Sequence, residues 1–310
     1  MFYANRIRFI SSCFFIGVIM INNCLTKDIE RIEKMSKSKE FQKSSVWLKH
    51  LNEKMAKKPS GVFQAKDKSG KQVILEWIKT DMASLEYEKA MKSVWDIACP
   101  TYTKVEVDFL RVHPEVVGKE DYFKPFEPLF KDGIQKVSWP LVEEKMQEIL
   151  KRAFVFDVSA FDEELKKKFS SAAHIFVTVK NQGSNEMLGF ISFLVISEYA
   201  DGDVKCIAFA VKPEEQNRGL GKLLMSSILN IISDLNRIFL CTRTTNIVAQ
   251  KAYYNWGFIK YGTNNGVSQV FEEHDYTFDL NHWIFMEYKV SQADKLQKTS
   301  ATLMDLSSEK

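Results

Sequence analysis

Apolar and polar positions along this chain change period in a way that marks its elements. Residues 204–211, Val-Lys-Cys-Ile-Ala-Phe-Ala-Val, form a mostly apolar run that stops at Lys212-Pro213, which predicts a buried strand ended by a proline. Beyond it Leu220, Leu223, Leu224, Ile228, Ile231 and Leu235 recur at helical spacing, leaving Lys222, Ser226, Asn230 and Ser233 for the other face. Residues 237–245 read as a second apolar strand, and residues 246–258 as a short helix closed by Gly257.

The remaining pattern is coarser. It predicts a helix near 46–55, two strands within 61–78 around the Ser69-Gly70 turn, and a helix over 84–97. Residues 100–137 are rich in proline and aromatics without a clear period and read as a packed irregular insertion, or less simply as a substrate lid. Ser138 followed by Pro140 predicts a helix start. Ser159 repeats the device ahead of Phe161, Leu165 and Phe169. Strands follow at 174–180 and 187–196, joined as a hairpin, and the last two strands are expected at 258–261 and 283–290. The tail after Gln292 is polar and expected to be without structure.

The turn between the strand ending at Val211 and the helix starting near Leu220 reads Gln216-Asn217-Arg218-Gly219-Leu220-Gly221. Glycines there remove the Cβ atoms that would keep a polyanion from the main chain, and the first helical turn offers N–H groups and the positive end of its dipole. A pyrophosphate suits such a cradle.

These two segments resemble motifs A and B of the GCN5-related N-acetyltransferase (GNAT) superfamily. The first is the Q-x-x-G-x-G turn before a helix. The second is N-x-x-A-x-x-x-Y-x-x-x-G-F, in which Asn246, Ala249, Tyr253, Gly257 and Phe258 fall in register. The resemblance implies an α/β fold, a mixed sheet flanked by helices, over residues 71–291, with 174–291 carrying the specific part. Residues 1–24 are then a hydrophobic leader or an over-long start, 25–70 a Lys-rich N-terminal extension and 292–310 a tail.

Composition narrows the reading little. With 310 residues, 45% apolar and 27% charged, the chain can bury one or two ordinary cores, and a net charge of +3 is too small to argue for nucleic acid. Lysines crowd residues 34–71, which reads either as a solvated surface or as a site for a partner or anionic lipid. Arg6 and Arg8 precede an apolar stretch at 9–21 laid out like a signal peptide, too short to span a bilayer comfortably and without a small-residue cleavage site. It reads as an uncleaved membrane-associated leader or as a start upstream of a true one at Met35. Cys99, Cys206 and Cys241 read as reduced apolar residues, and with a coenzyme found inside cells they favour the cytoplasm, with weak membrane association through 1–24 as the alternative. His174 and His274 have no ligand-type neighbours at metal spacing, so no metal is expected.

The resemblance also implies roles. Acetyl-CoA is the co-substrate: main-chain groups near Phe209 and Val211 pair with its pantetheine arm, and the amides of Asn217, Arg218, Gly219, Leu220, Gly221 and Lys222 hold its pyrophosphate. Gln216 orients the loop, while Arg218 and Lys222 are either phosphate-attracting cations or solvated ones. Asn246 caps its helix or touches the pantetheine, and Tyr253 protonates the leaving thiolate, since a phenol keeps its proton at neutral pH. Many family members place a glutamate where this chain has Ile207, which leaves Glu198, Asp203 or the acidic run 272–275 as candidate bases. The expected activity is acetyl transfer to a primary amine, on a small molecule or a protein, by direct attack on the thioester. A catalytically inactive acyl-CoA-binding module and a membrane-tethered interaction protein are the alternatives.

Overall fold

The computed structural model describes residues 39–81, 84–119, 123–154, 172–195, 201–260, 283–291, 294 and 304–305. The leader, Met35, the helix expected after Ser159, Glu198 and the acidic run 272–275 lie outside them. In chain order the elements are α1 (Lys39–Lys57), β1 (Ser60–Lys66), β2 (Gln72–Thr80), α2 (Leu85–Ser93), α3 (Trp95–Val112), α4 (Glu127–Phe130), α5 (Trp139–Phe154), β3 (Ala173–Asn181) and β4 (Met187–Val195). They continue with β5 (Asp203–Val211), α6 (Leu220–Ile231), β6 (Arg237–Arg243), α7 (Ile247–Asn255), β7 (Ile259–Lys260), β8 (Trp283–Lys289) and β9 (Met304–Asp305). The chain divides into two compact units, one drawn from 99–156 and 241–286, the other from 32–98, 157–240 and 287–310.

In the larger unit the strands lie in the order β6-β5-β4-β3-β2-β1-β9, β6 contributing its first residues, 237–240. From β1 to β5 every neighbouring pair is antiparallel. β5 and β6 run parallel, as the return through α6 requires, and the fold class is therefore mixed α/β. Strand β2 alternates, with Val73, Leu75 and Trp77 buried between more exposed positions. By contrast β3 and β4 are buried almost residue by residue, the signature of strands covered on both faces. Helix α6 packs over β3, β4 and β5, and α1 over β3. Phe190 and Phe193 are wholly removed from water, each contributing about 1.5–3 kcal/mol.

A buried polar chain crosses this core. The His174 ring meets the Thr80 hydroxyl at Nδ1 and the Ser192 hydroxyl at Nε2, both at 2.5 Å, with the Tyr87 ring edge-on at 4.5 Å. One ring nitrogen donates and the other accepts, so a neutral imidazole is satisfied there. Burial lowers its pKa from 6.5 to about 3.

The smaller unit holds the segment expected to be irregular. Instead of stopping near residue 97, α3 runs through Pro100 to Val112, because Val107, Phe109 and Leu110 on its later turns are buried. Phe109 stacks on Phe123 at 5.7 Å, and Phe123 meets Phe126 at 6.3 Å. Arg243 lies buried against these rings, 4.1 Å from the centre of Phe109 and 4.2 Å from that of Trp283. Its Nε and Nη2 donate to Glu106 at 3.2 and 3.0 Å. The polar tail also departs from expectation, since Met304 and Asp305 pair with Gln64 and Phe63 at the β1 edge.

The depressed histidine has a consequence for acid stability. Between about pH 6.5 and 3 the unfolded chain holds a proton on residue 174 that the folded chain does not, so stability falls as pH falls through that window. Unfolding free energies from urea titrations between pH 7 and 5 should drop at up to about 1.4 kcal/mol per pH unit from this group. His174→Gln should flatten that slope, and an unaltered slope in the variant would contradict the assignment.

Candidate functional site

The turn after β5 is built by close approach and by two left-handed residues. β4 and β5 lie so near each other at their cradle end that a Cβ on Gly189 would come within 2.9 Å of the Ala210 carbonyl oxygen. The Lys212 N–H prolongs this pairing by donating to the Leu188 carbonyl at 2.9 Å. A short 3-10 turn, Pro213–Glu215, follows, and the exposed Gln216 turns its side-chain amide back to the Val211 carbonyl at 3.3 Å. Gln216 therefore orients the loop. Asn217 at φ 65° and Gly219 at φ 82° then swing the chain into α6.

The start of α6 carries no acidic cap of its own. Gly219 stands at the N-cap, where a serine or aspartate would ordinarily accept from the first-turn amides, and no acidic side chain occupies the first turn. The first ladder bond runs from the Leu223 N–H to the Gly219 carbonyl at 3.1 Å, which puts the amides of Leu220, Gly221 and Lys222 ahead of the ladder. Strand β5 leads directly into this cradle. Its parallel ladder with β6 covers Asp203, Val204 and Lys205, whereas its ladder with β4 runs to Val211 and is interrupted by a bulge that skips Ile207.

The β1–β2 turn braces the cradle from the far end of the sheet. The Lys68 N–H donates to the Arg218 carbonyl at 2.8 Å. Asp67 folds its own turn by accepting at Oδ1 from the Ser69 N–H at 2.8 Å, the Ser69 hydroxyl at 2.7 Å and the Lys71 N–H at 2.9 Å. Its Oδ2 accepts from Arg218 Nε at 2.7 Å and lies 2.5 Å from Nη2. Arg218 also pairs with Glu215. Burial would raise the Asp67 pKa, but the Ser69 hydroxyl, then Arg218, then the Lys71 and Ser69 amides outweigh it and bring the carboxyl to about 2. The nearby Lys212 is held by Glu186 at 2.5 Å, and that hydrogen bond raises its pKa. Lys222 is exposed and has no ion-pair partner among the described residues.

Phe209, Val211 and residues 216–222 thus share the larger unit, while Asn246 and Tyr253 belong to the smaller one. Asn246 caps α7, its side-chain oxygen accepting from the Ala249 N–H at 3.2 Å and its amide donating to the Thr242 hydroxyl at 3.2 Å. Tyr253 is buried on α7, with the Trp256 ring at 5.6 Å and the Phe258 ring at 5.7 Å. Asp203, a candidate base, is buried at the first β5–β6 pair, where Arg237 Nε donates to it at 3.0 Å and Arg237 Nη1 reaches Glu287 at 3.2 Å. Burial, outweighing Arg237, raises the Asp203 pKa. Sequence reasoning missed Asp67 and Lys68. The Asp-Lys-Ser-Gly turn signalled its own geometry, but nothing local pointed to a partner 151 residues away.

Replacing Asp67 by Asn keeps an acceptor for Ser69 and Lys71 but removes the charge facing Arg218. The stability that this carboxylate contributes is complete above its ordinary pKa of 3.8 and is lost as pH falls through about 2. Asp67→Asn should therefore cost about 1–2 kcal/mol at pH 7, discounted for a guanidinium that remains 21% exposed. Equal denaturation midpoints for both proteins at pH 7 would contradict this.

A family model described as "Acetyltransferase (GNAT) family" matches residues 143–258. No curated protein matches the chain. Among solved structures, the ribosomal-protein-S18-alanine N-acetyltransferase from Escherichia coli is 18% identical over 38% of this chain and 70% of its own, with a TM-score of 0.28. A streptothricin acetyltransferase from Bacillus anthracis, solved in complex with acetyl coenzyme A and described there as putative, is 19% identical over 38% of this chain and 64% of its own, with a TM-score of 0.30. The GNAT domain of S. lividans PAT is 9% identical over 73% of this chain and 96% of its own, with a TM-score of 0.37. Residues 143–258, preceded by an N-terminal region, are thus the segment that this chain shares with the acetyltransferase (GNAT) family.

Proposed function

We propose that the protein is an N-acetyltransferase that moves an acetyl group from acetyl-CoA to a primary amine. The observation that carries this reading is the uncapped start of α6, whose first-turn amides follow a left-handed glycine and face no acidic side chain of their own helix. A diphosphate fits such a donor set. When bound, the coenzyme supplies the acetyl group as an activated thioester.

The chain's own residues have separate tasks. The amides of residues 217–222 bind the phosphates, and the main chain near Phe209 and Val211 pairs with the extended arm as an added strand would. Asn246 holds the start of α7, as its hydrogen bond to Ala249 supports. The Tyr253 hydroxyl would supply the proton taken up by sulfur when the carbon–sulfur bond breaks, while the attacking nitrogen forms the new amide and releases its own proton to water, from which the phenolate is reprotonated. The acceptor is an amine on a small molecule or a protein.

One observation favours a second reading, an acyl-CoA-binding module without turnover. Ile207 is the residue skipped by the β5 bulge, and an apolar side chain there cannot take the proton of the incoming amine.

Calorimetry with acetyl-CoA, followed by acetyl transfer to a panel of amines, separates the readings. The full chain should bind acetyl-CoA, and Gly219→Glu combined with Gly221→Glu should abolish binding. Tyr253→Phe should lower kcat by roughly 10²-fold while coenzyme affinity stays within about twofold. Unaltered turnover in that variant would remove the acid role; binding without transfer to any amine would select the second reading; no binding by the folded wild type would remove both.

A further inference from the structure

We propose that Lys68, on the β1–β2 turn, is a phosphate-binding residue of the coenzyme site, contributed from outside the segment that matches the family. The inference rests on the proposed coenzyme reading and adds to it a determinant that the Q-x-x-G-x-G turn does not contain. The family match begins at residue 143, and Lys68 precedes it.

Position is the first argument. A Cβ placed on Gly219 would lie 3.4 Å from the Lys68 Cβ and 3.7 Å from the Lys68 nitrogen, so the lysine stem begins beside the residue that opens α6. The Lys68 N–H to Arg218 carbonyl bond, 2.8 Å long, fixes the turn to the cradle. Asp67 locks the arrangement from the next position, binding Ser69 and Lys71 with one carboxylate oxygen and Arg218 with the other. A lysine stem spans on the order of 5 Å from Cβ to Nζ. From this anchor the ammonium therefore has the reach to meet an anion held by the amides of residues 219–222.

Charge is the second argument. Asp67 and Glu215 both pair with the single guanidinium of Arg218, so this network leaves one unbalanced negative charge beside the loop. A phosphate arriving there meets repulsion unless another cation offsets it. Lys212 is already engaged by Glu186. Lys68 is exposed and has no ion-pair partner among the described residues, and the same holds of Lys222 at the start of α6. Arg218 acts as a strut, and Lys68 takes the phosphate-attracting role that the sequence left open for Arg218.

The test uses the full chain and measures binding of CoA and of 3′-dephospho-CoA at low and moderate salt. Lys68→Ala should weaken CoA about tenfold and reduce the salt dependence of binding, while Lys89→Ala, the same charge change on α2, should leave both unaltered. Lys68→Arg should restore most of the affinity. A loss shared by both ligands assigns the diphosphate to Lys68, and a loss confined to CoA assigns the 3′-phosphate. Wild-type affinity and salt dependence in Lys68→Ala would overturn the inference while leaving the coenzyme reading intact, whereas a wild-type chain that binds neither ligand would remove the coenzyme reading and this inference with it.

Discussion

A helix ladder cannot reach back past its own first turn, and at the start of α6 that limitation determines what the rest of the unit must provide. The amides of Leu220, Gly221 and Lys222 precede the first ladder bond, from Leu223 to Gly219. At two other helices the chain meets the same need with side chains: Ser84 accepts from the Tyr87 N–H ahead of α2, and Asn246 from the Ala249 N–H ahead of α7. At Gly219 there is no side chain to do so. The fold thus retains donors that an anion can satisfy.

Holding a bare helix start in place takes support from three directions. The β4–β5 pairing continues to Val211 and sets the entry point, with Gly189 allowing the close approach. Leu220, Leu224 and Ile228 are buried on α6, which packs over β3, β4 and β5. The β1–β2 turn closes the third side through Asp67, Lys68 and Arg218. Hydrophobic burial fixes the axis of α6, and a small charged network fixes the loop. The first term is largely insensitive to pH, whereas the second depends on a carboxylate with a pKa of about 2.

What could be read from the sequence was what local period and turn chemistry encode. β5 and α6 follow from an apolar run and a helical repeat on either side of Gly219, and the α7 cap follows from an asparagine placed before a helical segment. The β1–β2 hairpin was legible because Ser69 and Gly70 interrupt two alternating runs. Pro100 misled for a physical reason. A proline removes one ladder bond, but the buried side chains of Val107, Phe109 and Leu110 hold α3 together beyond it. Asp67–Arg218, Glu106–Arg243 and the β9 pairing join residues far apart in sequence, and no local pattern reports such contacts.

The central claim is that the backbone at the start of α6 binds a coenzyme phosphate, and amide NMR during a titration with acetyl-CoA examines it most directly. The account predicts that the amide signals of residues 217–222 shift furthest and together, and that Lys68 on the neighbouring turn moves with them. Saturable binding that leaves those six amides in place while signals elsewhere shift would contradict it.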